Sequence, residues 1–152
     1  MGQRIHVICF GNELHGDDGF GPAVFQRLQG VSLPGRSRAF RADTSGLSAL
    51  DCFEDCDLAL LVDAVSGYGP PGSLHVLEPS QMGEQVVASW HGQGVAGLLA
   101  HVPHALRRPP QVRLVGAEVA TTGAFCLGLS APVERAVAPC VQHVMGVLRE
   151  AV

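Results

Sequence analysis

The run "DLALLVDAV", residues 57–65, constrains the fold more than any other stretch of the chain. It is apolar without alternation, which suits a strand covered on both faces rather than one with a wet side. Such strands belong to parallel sheets sandwiched between helices, and the flanking sequence supplies both. "RIHVICF" (4–10) reads as a first buried strand, short and rich in β-branched residues. A helix follows, with Pro22 in its first turn, Val24, Phe25 and Leu28 as its apolar stripe and Gly30 as its stop. "SRAFRAD" (37–43) predicts a second strand, and "GLSALDCFEDC" (46–56) a short helix that turns Leu47, Leu50 and Phe53 inward.

After residue 65, "SGYGPPG" is too short for a helical crossover, so "SLHVLE" (73–78) is expected to return as an antiparallel hairpin partner. A helix over Gly94 to Leu106, a strand at "QVRLVGAEV" (111–119) and a final helix from Pro132 to Glu150 complete the pattern. Pro139 marks where that last helix could kink. The sum is an α/β three-layer sandwich with a five-stranded, mostly parallel sheet and one antiparallel strand. The 152 residues suit a single domain, and a chain of this size buries roughly 68–70% of its extended surface.

Composition narrows the function. Hydrophobic residues make up 47% and charged residues 16%, with a net charge of −4, which offers no electrostatic footprint for nucleic acid. No run approaches the ~18 apolar residues of a membrane span, and the amino terminus lacks the pattern of a secretory signal. The five cysteines include no CxxC pair, and Cys52 and Cys56 fit a helix face better than a zinc knuckle. They are expected to be reduced, mostly buried thiols of a soluble, cytoplasmic protein.

Chemistry concentrates in "GNELHGDDGFGP", residues 11–22, between the first strand and its helix. A glycine-rich turn there usually receives phosphate at the helix N-terminus, yet Asp17 and Asp18 would repel phosphate. Sites in open α/β sheets form outside the carboxyl ends of the strands, where strand order reverses. If the first and third strands are neighbours, Asp63 converges there with the acidic pair, and a carboxylate ending so apolar a strand needs a partner or a cation. Each has a structural alternative. Asp18 suits a helix cap as well as a ligand, Asp17 suits hydrogen bonds to loop amides, and Asp63 could accept amides of a facing loop. Of seven histidines, His6, His75, His101, His104 and His143 read as packing or surface residues. His15 lies beside the acidic pair in a solvated loop. His91, in "ASWHGQG", has no packing reason to be where it is, and two carboxylates with one imidazole make a metal site with open positions. A GxSxG elbow, an HExxH helix and a GxGxxG turn after the first strand are all absent from the sequence.

Taken together, "GNELHGDDGFGP", "LLVDAV", "SWHGQG" and "GLSAPV" (128–133) resemble, in order and spacing, the maturation endopeptidases of nickel-iron hydrogenases. The resemblance implies removal of a C-terminal extension from the hydrogenase large-subunit precursor after nickel insertion. It implies that Asp18, Asp63 and His91 are the catalytic, metal-contacting positions and that the nickel is borne by the substrate. It further implies an enzyme that is monomeric when free. Asp18 is Glu in some members, His15 is more often apolar or basic, and Cys9-Phe10 replaces a smaller pair, so which hydrogenase is served stays open. A water attacking a metal-polarised carbonyl, with a site carboxylate as base, is consistent with the residues, the base being Asp17 or Asp18. A nickel-carrying accessory protein without proteolytic activity is the alternative, ranked second because carboxylates hold nickel less tightly than imidazole or thiolate.

Overall fold

A computed structural model describes residues 2–42, 47–82, 94–120 and 125–152. Among the described residues, five strands form one sheet in the order β2-β1-β3-β5-β4. They are β1 (Arg4–Phe10), β2 (Arg36–Ala42), β3 (Leu58–Val65), β4 (Leu74–Leu77) and β5 (Gln111–Glu118). Helix α1 spans Phe20–Gln29, α2 Gly94–Ala105 and α3 Ala131–Glu150. Every residue of β3 is buried, as its unbroken apolar run requires of the central strand.

Side-chain alternation sorts the core into two halves. Ile5, Val7 and Cys9 of β1 with Leu58, Leu60 and Val62 of β3 face α1 and α3. Ile8 and Phe10 of β1 with Ala59, Leu61 and Val65 of β3 face α2 and the 3-10 segment Leu47–Phe53. The three-layer α/β sandwich is therefore present. Burying each of these Leu, Ile or Phe side chains stabilises the fold by about 1.5–3 kcal/mol before entropy is counted.

Two local expectations need correction. The helix expected over 46–56 is a 3-10 segment limited to Leu47–Phe53. Asp55, at a positive φ of 58°, ends it before a regular helix can establish itself, and residues 43–46 lie outside the described residues. The strand at Leu74–Leu77 is antiparallel as expected, but it pairs with β5 (Leu74↔Ala117, Leu77↔Leu114) rather than forming a hairpin with β3. Both edges of β3 are occupied, by β1 and β5, and the connection after Val65 is long enough to pass over β5. Pro139 sits on the exposed face of α3, which continues through it. No described helix is long and apolar enough to cross a membrane.

Candidate active site

The turn after β1 depends on two glycines. Gly11 has φ 140°, and a Cβ there would overlap the Asp18 carbonyl oxygen. A Cβ on Gly21 would overlap the Phe10 carbonyl. Their bare backbones let the start of α1 press onto the end of β1. Into that close approach folds the 3-10 turn Gly16–Gly19, which carries the acidic pair.

The two neighbours face different surroundings. Asp17 is fully buried, and its carboxylate accepts the Ala120 N–H at 2.9 Å, the Ser130 N–H at 2.7 Å and the Ser130 hydroxyl at 2.9 Å. It binds together both ends of the connection between β5 and α3. This matches its expected role as an acceptor for loop amides. Asp18 is half-buried, and its Oδ2 accepts the Asn12 N–H at 3.0 Å. The N-cap of α1 is Gly19, with no side-chain cap, so Asp18 does not serve as the helix cap.

Asp63 lies one residue beyond the Cys9↔Val62 pairing, level with the point where β1 exits into the site turn. It is 3% exposed, and its Oδ1 accepts the Ala64 N–H at 2.8 Å. Burial pushes its pKa well above the carboxylate range, the Asp18 charge pushes it further, and the Ala64 N–H offsets a part. Burial also raises the Asp18 pKa, against the lowering by the Asn12 N–H and His15. The adjacency of β1 and β3 thus brings Asp18 and Asp63 within electrostatic reach of each other. Two carboxylates so arranged can share a proton or hold a cation. His91 lies outside the described residues. Among the described residues, no three His, Cys, Asp or Glu side chains group in metal-holding geometry.

A further buried acid was not anticipated. Glu118, at the end of β5, accepts the Gly67 N–H at 2.7 Å and the Tyr68 N–H at 3.1 Å. It orders the loop that leaves β3 just after Asp63. The signal was available in the sequence, since "QVRLVGAEV" ends an apolar strand on an acid, as "DLALLVDAV" nearly does. His6 is a packing residue as expected, its Nδ1 2.8 Å from the Cys52 carbonyl and its ring against Phe40. Cys9, Cys56 and Cys140 are buried thiols, whereas Cys126 is exposed. No disulfide joins any of the five.

Fold and site together define an open α/β protein with paired acids at the carboxyl edge of its central strands. The family profile described as hydrogenase maturation protease matches residues 23–147, and the chain belongs to that family. Asp63 and His91 fall within the matched stretch, and Asp18 stands just ahead of it. The hydrogenase expression/formation protein HupD of Rhodobacter capsulatus is 28% identical over 121 residues, 76% of this chain. The matched stretch spans 57% of that relative's length. The hydrogenase maturating endopeptidase HybD from Escherichia coli superposes with a TM-score of 0.81 at 25% identity, covering 97% of this chain and 93% of its own. A hydrogenase 2 maturation peptidase from a Thaumarchaeota archaeon is 33% identical with a TM-score of 0.68, covering 96% and 98%.

Proposed function

We propose that the chain is an endopeptidase that removes the C-terminal extension of a nickel-iron hydrogenase large-subunit precursor once nickel is in place. The observation that carries this reading is that half-buried Asp18, in the turn after β1, lies within electrostatic reach of buried Asp63 on the adjacent β3, the pKa of each being raised. Such a pair is unfavourable in isolation and becomes favourable when a cation arrives between them. In this reading the cation is the nickel already seated in the substrate. Asp18 and Asp63 contact it together with His91, which precedes α2 by three residues in the sequence. Carboxylates alone hold nickel modestly, so cysteine ligands of the precursor retain it and the enzyme completes its coordination only in the complex.

A raised pKa also makes a carboxylate a stronger proton acceptor than a free one. A water molecule adds to the scissile carbonyl carbon and gives its proton to a site carboxylate. The carboxylate then returns the proton to the leaving amide nitrogen as the C–N bond breaks. Asp17, saturated by three donors, is the less suited of the adjacent pair for this exchange, which leaves Asp18 or Asp63 as base. The free thiols accord with a cytoplasmic enzyme.

The test is cleavage of nickel-loaded and nickel-free precursor side by side, read as a shortened band on a gel. Only the loaded precursor should be cut, and free nickel added to the enzyme should not rescue the other. Equal rates on both would end the metal-reading mechanism, and no cleavage of either would end the protease assignment.

A further inference from the structure

Beside the acidic turn lies an open groove of about 390 Å3, lined among others by Glu13, Leu14, Gln26, Leu127, Leu129 and Glu134. One of its walls is the stretch before α3, joined to the site turn by a parallel bridge between His15 and Cys126. The Gly16 N–H donates to the Cys126 carbonyl at 2.6 Å and the Cys126 N–H to the Leu14 carbonyl at 3.1 Å. Asp17 anchors the same stretch from beneath through Ser130. This rigidly tied wall nevertheless turns its apolar side chains outward. Phe125 is 84% exposed and Leu127 78%, and Leu14, on the site turn across the bridge, is 44% exposed. Phe125 is held at φ 57°, a left-handed backbone that a bulky residue adopts only under constraint. Exposed apolar residues clustered on a fixed wall beside a site mark a binding surface rather than a packing accident.

We propose, resting on the protease reading above, that this groove docks the C-terminal segment of the precursor as an extended peptide bearing apolar side chains and a basic one. Leu14 and Leu127, which line the groove, receive the apolar positions, and the exposed Phe125, two residues before Leu127 in the sequence, adds apolar surface next to it. Glu134, in the first turn of α3, makes no ion pair among the described residues and supplies the negative charge for an arginine or lysine. Glu13 adds a second carboxylate, partly engaged by Arg41 at 3.3 Å. An anionic membrane surface is disfavoured by these acids. A second copy is disfavoured as well, since a two-fold contact would set like charges face to face.

The test compares the wild type, the double variant Phe125→Ser/Leu127→Ser, Glu134→Lys and the control Val31→Ser. Val31 is equally exposed apolar surface, 45% exposed, past the far end of α1. The probe is purified nickel-loaded large-subunit precursor, with and without its extension, and both affinity and cleavage are read. We expect the double variant to lose at least tenfold in affinity for the full-length precursor, with KM raised by a similar factor. Glu134→Lys should lose several-fold, and its loss should shrink at high salt. Val31→Ser should match the wild type. If the wild type cuts the precursor and the double variant binds it equally well, the docking surface is refuted while the protease reading stands. If the wild type binds without cutting, the protease reading fails, and the affinity ranking still decides the groove. Wild type that neither binds nor cuts, or that buries Leu127 in a dimer by sedimentation, overturns the proposal.

Discussion

The two ends of the central strands treat aspartate in opposite ways. At the amino end, Asp57 stands in solvent just before β3 and accepts the Arg4 N–H at 2.7 Å, with the Arg4 guanidinium 3.6 Å away. The Arg4 amide and guanidinium lower its pKa, so the fold favours its ionised form. At the carboxyl end, Asp63 is buried with one amide and a second carboxylate for company, and the fold disfavours its charge. One end is arranged for stability, and the other keeps an electrostatic cost that only a bound cation or proton relieves. The contrast also runs within the acidic pair, where Asp17 is saturated by donors and Asp18 is not.

The largest expected consequence is in catalysis. Asp18→Asn and Asp63→Asn should each lower kcat/KM for nickel-loaded precursor by about 10²–10⁴-fold, the usual worth of a positioned proton-transfer group. Asp57→Asn, at the opposite end, should leave it unchanged. Activity retained in Asp18→Asn would mean that the carboxyl end is not the reacting end.

Next in size is Asp17→Ala. It removes the buried acceptor of the exposed Ala120 N–H and of the half-buried Ser130 N–H and hydroxyl, so urea unfolding should show a loss of about 1–3 kcal/mol. A loss that small surface changes also produce would show that the connection between β5 and α3 is held by something else.

A smaller effect has the opposite sign. Asp63→Asn removes a buried group whose ionisation the fold disfavours and should raise the melting temperature of the metal-free protein at pH 7. Each kcal/mol of relief is worth about 2–4 °C in a chain of this size. The sign follows from linkage. Because the folded pKa is raised, the penalty is absent below the unfolded value of about 3.9, grows as pH rises through the folded value and then levels off. The gap between variant and wild type should therefore close on acidification. A variant less stable than wild type at pH 7 would contradict the account of a carboxyl whose ionisation is penalised by burial.

Smallest is the amino end. Asp57 has a lowered folded pKa, so its contribution is present above about pH 3.9 and is lost as pH falls through the folded value. Asp57→Ala should shift the urea midpoint slightly at pH 7 and by less as pH falls through the folded value. A shift that persists in acid would assign the effect to packing rather than charge.

Local patterns in the sequence determined much of this protein. The unbroken apolar run of β3 dictated a central strand, the turn chemistry placed α1, and an acid ending so apolar a strand singled out Asp63. Asp18 was legible for the same reason, as two carboxylates in a turn where phosphate would ordinarily be received. The fold class followed from the alternation of strands and helices, while crossover rules allowed, without requiring, the adjacency of β1 and β3 that the sheet has. Tertiary structure alone decided what depended on distant pairing. Strand β4 found β5 rather than β3 because the edges of β3 were already taken. Asp17 found partners 103 and 113 residues away, and Glu118 found the Gly67 and Tyr68 amides 51 and 50 residues back. Periodicity reports which face of an element is apolar, a property of neighbouring residues. Which loop amides a carboxylate meets depends on sheet order and register, and these exist only once the strands have assembled.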